Sequence, residues 1–180
     1  AKKLAKKIGL PVLPGPNGPV DSNSKKEAEK LGYPVVIKSA SGGGGRGIRV
    51  VQSESDLEES IAITQKEAER AFGDSTVYLE KYLSTPRHIE VQVLCDKFGN
   101  VIHLGERDCS LQRRQQKIIE EAPAIGIPEE IKEEIFNKCV NACKEINYTS
   151  AGTFEFLFQD NKFYFLEMNT RIQVEHPVTE

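Results

Sequence analysis

The chain has 180 residues, enough for one ordinary domain or two small ones. It is 38% hydrophobic and 28% charged, which is typical of a globular protein and excludes a disordered one. The net charge of −3 does not favour a nucleic-acid or membrane-surface partner, and no apolar run approaches the roughly 20 residues that span a bilayer. Because the only methionine is Met168, we expect a segment of a longer protein. Its compartment, the cytoplasm or the mitochondrial matrix, stays open.

The predicted elements mix helices with strands and lack a regular strand–helix alternation, which favours an α+β fold. Helices are predicted at residues 1–9, 24–32, 54–73 and 128–147. Strands are predicted at residues 33–38, 48–51 and 76–83, around a turn within 87–109, and in a hairpin at 152–169. The charged segment 110–123 has no clear pattern. A change of character near residues 82–84 predicts two lobes.

Two helix starts have the spacing of a capping box, in which the first and fourth residues bond each other's backbone. The pairs are Ser24 with Glu27 and Ser55 with Glu58. The four cysteines lack metal-site spacing, and Cys139 and Cys143 fall on the apolar stripe of the last predicted helix. We therefore expect buried, reduced thiols.

The stretch "KSASGGGGRGIRV" (residues 38–50) places four consecutive glycines between two predicted strands. Glycine loses the most backbone freedom on folding, so this run is either a flexible turn or a loop that must approach a ligand closely. A Walker loop and a Rossmann fingerprint both need a helix directly after the glycines, and here a strand follows. A hairpin flap over phosphates, with Lys38 adding positive charge, remains possible beside an exposed turn.

The hairpin at residues 152–169 has two possible registers. We predict a three-residue loop at 160–162, because it places Glu155 opposite Glu167, with Asn169 one step beyond, and gives a uniformly apolar opposite face. That face carries Phe154, Phe156, Phe158, Tyr164, Leu166 and Met168. Because facing carboxylates repel, a hard dication such as Mg²⁺ would stabilise this arrangement. A solvated outer sheet face is the alternative interpretation.

Polar residues then continue at every second position, as Glu167, Asn169, Arg171, Gln173 and Glu175. If the chain stays extended, these side chains form one row, which indicates either a site or a polar surface strand. The basic run "QRRQQK" lacks interleaved aromatic residues, so a nucleic-acid contact is weakly supported.

Taken together, "KSASGGGGRGIRVV", "EKYLSTPRHIEVQVL", "ERDCSLQRRQQKIIEEAPA", "GTFEFLF" and "FLEMNTRIQVEHPVTE" resemble the biotin carboxylase component of biotin-dependent carboxylases, in the ATP-grasp superfamily. The resemblance implies two lobes of antiparallel sheet with packed helices, incomplete at both ends. Residues 1–10 would be the tail of a preceding domain, 11–82 the lid lobe and 83–180 a truncated catalytic lobe.

The resemblance also implies a reaction, in which ATP activates bicarbonate as carboxyphosphate and the carboxyl group passes to biotin on a carrier domain. It further implies ATP, Mg²⁺ or Mn²⁺, a biotin carboxyl carrier, a carboxyltransferase component and a homo-oligomeric parent. It implies neither a nucleic-acid partner nor a membrane partner. Glu175 would be the base, Arg171 the bicarbonate clamp and Lys117 the residue that meets phosphate and bicarbonate. Nucleotide and bicarbonate binding would fall to Lys38, Gly42, Gly43, Gly44, Gly45, Glu80, Lys81, Leu83, His88, Gln112, Gln173 and Val174, and metal binding to Glu155, Glu167 and Asn169.

Three departures leave alternatives open. Gln115 stands where the family often has histidine, and the family's phosphate-binding lysine before this segment and carboxyl-transfer arginine after it are absent. The 180 residues in isolation could therefore be a non-catalytic nucleotide-binding or structural module, or part of another ATP-grasp ligase. The final carboxyl acceptor stays open.

Overall fold

The computed structural model describes residues 2–42 and 46–180, which form two compact units. One unit is Leu13–Ser84; the other joins the residues up to Val12 with Thr85–Glu180. The helices are α1 (Lys2–Lys7), α2 (Ser24–Leu31), α3 (Leu57–Phe72) and α4 (Glu129–Glu145). The strands are β1 (Val35–Ser39), β2 (Ile48–Val51), β3 (Val77–Lys81), β4 (Arg87–Cys95), β5 (Val101–Arg113), β6 (Gln116–Glu121), β7 (Ser150–Gln159) and β8 (Lys162–Asn169).

The unit Leu13–Ser84 is a three-stranded antiparallel sheet in the order β2-β1-β3, with α2 and α3 packed against it. Its buried core is rich in β-branched residues, which suit a pleated surface. The core consists of Ala28, Val35, Ile37, Val51, Leu57, Val77 and Leu79. Helix α3 ends at Gly73, whose φ of +70° is the left-handed conformation that glycine adopts without strain.

Both predicted capping boxes are wrong. Helix α2 has Asn23 as its N-cap, and the hydroxyl of Ser24 instead accepts the backbone N–H of Asp21 at 2.8 Å. Before α3, residues Glu54–Asp56 form a 3₁₀ turn that contains Ser55, so the α-helix begins at Leu57. Local hydrogen bonds of serine and aspartate compete with capping geometry at such positions.

The second unit is a five-stranded antiparallel sheet in the order β6-β5-β4-β7-β8. Helix α4 packs on one face of it through Ile135, Phe136 and Cys139. Ala5 and Leu10 also belong to this core, so the segment predicted as the tail of a preceding domain packs into this unit. The boundaries between the two units lie at Val12–Leu13 and Ser84–Thr85.

The β7–β8 hairpin corrects the predicted register. Gln159 pairs with Lys162, so the loop contains only Asp160 and Asn161, and the predicted three-residue loop is wrong. The predicted pairing of Glu155 with Glu167 is nevertheless present. A β-bulge reconciles the two findings, because one additional residue of β8 lies between the pairs Phe156–Phe165 and Glu155–Glu167.

The bulge also changes which aromatic side chains enter the core. Phe163 and Phe165 join Phe154, Phe156 and Phe158, whereas Tyr164 and Leu166 were predicted on that face. The rings of Phe156 and Phe163 meet edge to face with centroids 5.6 Å apart. Aromatic packing of this kind fixes the register of the strand that carries Glu155.

The segment 110–123, which had no predicted structure, completes β5 and forms β6. Arg114 and Gln115 make the turn between them, with φ of 51° and 65°. The expectation of buried thiols is confirmed, since Cys95, Cys109, Cys139 and Cys143 are all buried and free. Within residues 2–42 and 46–180, none of the helices combines the length and the apolar character needed to cross a bilayer.

Candidate active site

The face of the larger sheet opposite Phe154 and Phe156 carries buried polar side chains. Strand β4 contributes Glu90 and Gln92, and neighbouring β7 contributes Thr153 and Glu155. All four are nearly inaccessible to solvent. Because buried charge is costly unless it is paired, this face requires compensating groups.

Lys117 on β6 supplies one of these groups. Its ammonium Nζ lies 3.0 Å from Oε1 of Glu155 and 2.6 Å from Oε1 of Glu175, and it also donates to Oε1 of Glu90. One cation thus holds three carboxylates together. Charge-assisted hydrogen bonds of this kind are the strong ones in a partly dehydrated site.

Glu155 has the most partners among these carboxylates. Its Oε1 accepts from Lys117, from the Asn169 amide at 2.8 Å and from the Gln173 amide at 3.2 Å. Its Oε2 lies 3.2 Å from Nε2 of His88. Burial alone would raise the pKa of Glu155, but His88 and Lys117 outweigh it and lower the pKa to about 2. The group is therefore ionised at neutral pH.

His88 is oriented by the next strand of the sheet. Its Nδ1 lies 3.1 Å from the amide nitrogen of Gln112, which also donates to the carbonyl of Cys109 at 2.8 Å. Gln112 thereby holds the imidazole ring with its Nε2 on the side of Glu155. His88 and Gln112, which were both predicted to bind the nucleotide, are therefore in contact with each other.

The polar row predicted from Glu167 to Glu175 is extended only in part. Strand β8 ends at Asn169 and the chain then turns, so the condition of a continuously extended chain is not met. Gln173 and Glu175 still face inwards and are buried, whereas Val174 is 92% exposed. Burial raises the pKa of Glu175, but Lys117 and Arg107 oppose this, and the net effect is a lowered pKa.

Arg171 does not join this cluster. It is exposed, and its guanidinium donates to the carbonyl of Ile172 at 3.0 Å. Glu167 is likewise exposed, although its backbone is directly opposite that of Glu155. Among the residues predicted to hold bicarbonate or metal, the structure therefore brings together Lys117, Glu155, Asn169, Gln173 and Glu175.

The donor set fits a magnesium ion in its chemistry. Lys117 and Arg107 carry two positive charges against the three carboxylates of Glu90, Glu155 and Glu175, which leaves one negative charge that a cation would balance. Asn169 directs its N–H at Glu155, which leaves its carbonyl oxygen as the atom that could face an ion. Carboxylate and amide oxygens are ligands of hard dications. Within the described residues, His88, Glu90 and Glu155 also form a cluster with ligand atoms close enough for a metal.

Most of the residues predicted to bind the nucleotide lie in the unit Leu13–Ser84. Nζ of Lys38 lies 2.8 Å from the carboxylate of Glu80, which is on the neighbouring strand β3 and diagonal to it in the sheet. The side chain of Lys81 donates to the carbonyl of Gly32 at 2.7 Å, while Leu83 is half-buried. Gly42 is placed by a backbone hydrogen bond to Ser39. Gly43, Gly44 and Gly45, also predicted to contact phosphates, lie outside the described residues.

The sequence analysis missed Glu90, Gln92 and Arg107. In "RHIEVQVL", polar His88, Glu90 and Gln92 alternate with apolar residues, and this is the same signal that indicated the row after Glu167. Applied to β4, the alternation would have found two of the three. Arg107 gives no comparable signal, because its neighbours in "GERDC" are mostly charged.

Comparison with known proteins identifies the family. The family model described as the carbamoyl-phosphate synthase L chain, ATP binding domain, matches residues 1–180. A biotin carboxylase of Haemophilus influenzae is 59% identical over all of this chain and 41% of its own length. The chain thus spans about two fifths of the curated relatives that it matches.

Solved structures give the same result. A crystal structure of a biotin carboxylase–β,γ-ATP complex from Campylobacter jejuni has a TM-score of 0.94 and 54% identity, and the match covers 99% of this chain and 41% of that one. The biotin carboxylase domain dimer of the Hydrogenobacter thermophilus 2-oxoglutarate carboxylase, in complex with MgADP, ADP and bicarbonate, has a TM-score of 0.92 and 50% identity, covering 99% and 40%. The chain therefore belongs to the family of the carbamoyl-phosphate synthase L chain, ATP-binding domain, and shares the ATP-grasp fold of biotin carboxylases.

Proposed function

We propose that this chain is the ATP-grasp segment of a biotin carboxylase, which uses ATP to activate bicarbonate and then carboxylates biotin on a carrier protein. One observation carries the proposal: Lys117 holds Glu90, Glu155 and Glu175 together on a buried sheet face. A carboxylate beside a positive charge is what deprotonation of an anionic substrate requires.

Glu175 is the proposed base. Its lowered pKa keeps it ionised at neutral pH, and Lys117 holds one of its oxygens at 2.6 Å. Its neighbour Gln173 is fixed by Glu155, and the nearby backbone of Val174 and guanidinium of Arg171 are exposed and accessible to an anion. We assign the bicarbonate to these groups. Once its proton is removed, bicarbonate becomes a competent nucleophile for the γ-phosphoryl group.

The nucleotide-binding assignments are made for each unit by itself. We assign the phosphates to Lys38 and to the glycine-rich segment, and the adenine to Glu80, Lys81 and Leu83. Glu80 already holds the ammonium of Lys38 at 2.8 Å, so the lysine is oriented before any phosphate binds. His88 and Gln112 lie on the sheet that carries Glu155, and we assign them to the ribose side of the nucleotide.

Glu155, Glu167 and Asn169 are the residues that would hold magnesium. When bound, the ion supplies positive charge that neutralises the phosphate oxygens during phosphoryl transfer. The chain's own contribution is to keep Glu155 ionised, through His88 and Lys117, and to direct the carbonyl of Asn169 away from Glu155. A biotin carrier and a carboxyltransferase component are the proposed partners.

The experiment uses the full-length protein that carries this chain. It is incubated with Mg-ATP, radiolabelled bicarbonate and free biotin, and labelled carboxybiotin is measured with and without ATP. ATP-dependent label on biotin supports the proposal. ATP cleavage that proceeds equally well without bicarbonate, or that labels ammonia instead of biotin, would favour another ATP-grasp ligase. No nucleotide binding at all would favour a structural module.

A further inference from the structure

Arg107 and Glu90 are the most deeply buried charged side chains of the candidate site. Arg107 lies on β5 opposite Glu90 of β4, and its relative exposure is 0%. No role was predicted for it from the sequence. Because an unpaired guanidinium at this depth would be very costly, its partners indicate what it does.

The guanidinium is saturated by acceptors. Its Nε and Nη2 both donate to Oε2 of Glu90, at 3.2 and 2.9 Å. Its Nη1 donates to the amide oxygen of Gln92 at 2.9 Å and to the hydroxyl of Thr179 at 2.7 Å. Its Nη2 also lies 3.5 Å from the amide oxygen of Gln173. The planar fork of arginine can meet such a set, and the single ammonium of lysine cannot.

These contacts determine which oxygen of Glu90 is presented to the site. Arg107 binds only Oε2, and Lys117 binds Oε1. Glu90 thus connects the buried guanidinium of Arg107 to the ammonium of Lys117, which also binds Glu155 and Glu175. A rotation of the Glu90 carboxylate would move the ammonium that it anchors.

The same guanidinium orients Gln173. The amide oxygen of Gln173 faces Arg107, and its amide nitrogen therefore faces Glu155, to which it donates at 3.2 Å. Without a cation on the oxygen side, the amide could flip and present its oxygen to a carboxylate. Through its hydrogen bond to Thr179, Arg107 also anchors the chain that follows Glu175.

We propose that Arg107 is a positioning residue, which fixes the Glu90 carboxylate and the Gln173 amide so that Lys117 and Glu175 are correctly placed for bicarbonate. This inference rests on the proposed function. Arg107 does not reach the solvent-accessible part of the site, so it acts only through the residues that it binds. An alternative role, a purely structural ion pair, would affect stability without changing how bicarbonate is handled.

The experiment compares Arg107→Lys with the unaltered full-length protein. Lysine keeps the positive charge but cannot bridge Glu90, Gln92 and Gln173 at once. We expect kcat for bicarbonate-dependent ATP cleavage to fall about 100-fold, because small misplacements of reacting groups have effects of that size. The KM for bicarbonate should rise, while nucleotide affinity measured without bicarbonate should change less than about threefold.

The matched control is Cys139→Ala, which removes a buried side chain of the same unit far from the polar face. It should lower stability yet leave kcat and both KM values of the folded enzyme unchanged. If Arg107→Lys behaves like this control, with lost stability and unchanged kinetics, the positioning role is overturned. Unchanged kinetics with unchanged stability would overturn it equally.

A double-mutant cycle tests the route of action, and its stability measurement does not depend on the proposed function. If Arg107 acts through Glu90, Arg107→Lys should have little further kinetic effect in a Glu90→Gln background. The changes in denaturant midpoint caused by Arg107→Lys and Lys117→Met should also be non-additive, because Glu90 links the two side chains. Additive midpoints would refute the inference even if the protein proved to carboxylate no biotin. A failure of the unaltered protein to use bicarbonate, with non-additive midpoints, would refute only the proposed function.

Discussion

Glu155 and Glu167 are paired across β7 and β8, but only Glu155 is buried. Glu155 is 6% exposed and bound by Lys117, Asn169 and Gln173, whereas Glu167 faces solvent. Two identical side chains at one sheet position therefore have different physical roles. The first is part of a preformed network, and the second is available to a ligand that arrives from solution.

The first prediction concerns acid stability. The pKa of Glu155 is about 2 in the folded protein against an ordinary value of 4.5, so the unfolded chain binds its proton more readily. The stabilisation is fully present above the unfolded value and is lost as the pH falls towards about 2. It amounts to about 3 kcal/mol of unfolding free energy at neutral pH. Urea unfolding of the chain, near neutral pH and at about pH 3, measures it.

The Glu155→Gln variant is the comparison, because it removes the titrating group and keeps the size of the side chain. Its unfolding free energy should depend less on pH in the acid range than that of the unaltered chain. Parallel pH dependences would show that Glu155 has an ordinary pKa. The network around Lys117 would then not exist as described.

A second prediction separates metal binding from stability. Glu167→Gln should change the unfolding free energy by less than about 0.5 kcal/mol, because the side chain is exposed. The same substitution should weaken the magnesium dependence of nucleotide binding in the full-length protein. Titration of Mg²⁺ at fixed ATP measures this, with Glu133→Gln on the exposed face of α4 as the control. Equal magnesium affinities in the two variants would remove Glu167 from the proposed metal site.

The sequence predicted the Glu155–Glu167 pair but not the way in which the chain forms it. The run Phe163–Leu166 is apolar at every position, so alternation alone allows either register. The structure selects the two-residue turn, since Asp160 and Asn161 tolerate positive φ, and absorbs the offset in a bulge. Bulges depend on packing across strands, which a single sequence does not reveal.

The buried network was predictable only in part. Lys117 was found only through the resemblance to the family, whereas Asn169, Gln173 and Glu175 were already indicated by the alternating polar row. Arg107 and its acceptors come from separate strands and from the segment after β8, so only the fold brings them together. The exposure of Arg171 depends on where β8 ends, and the residue pattern does not show that end.

A third prediction tests the corrected turn. Asp160 and Asn161 have φ of 52° and 57°, a region that glycine and asparagine accept more readily than alanine. Asn161→Ala should therefore lower the unfolding free energy by about 1 kcal/mol, whereas Asn161→Gly should be neutral or stabilising. Thermal unfolding of both variants measures the difference. If alanine and glycine are equivalent at this position, the two-residue turn is wrong.

A fourth prediction concerns the thiols. All four cysteines are buried, and burial raises the pKa of both Cys109 and Cys143 to about 12. Since the thiolate is the reactive form, a thiol-specific chromogenic reagent should label the native chain slowly and the urea-unfolded chain rapidly. Rapid labelling of a single cysteine in the native chain would contradict the packing described around α4 and β5.

The most direct test of the account is the bicarbonate dependence of ATP cleavage in the full-length protein and its Glu175→Gln variant. The variant keeps the size of the side chain but cannot accept a proton, so the bicarbonate-dependent rate should fall about 10²- to 10⁴-fold. Nucleotide affinity should be retained, because no phosphate contact is assigned to Glu175. If Glu175→Gln cleaves ATP with bicarbonate at the parent rate, Glu175 is not the base, and the Lys117 network is a structural feature of the sheet.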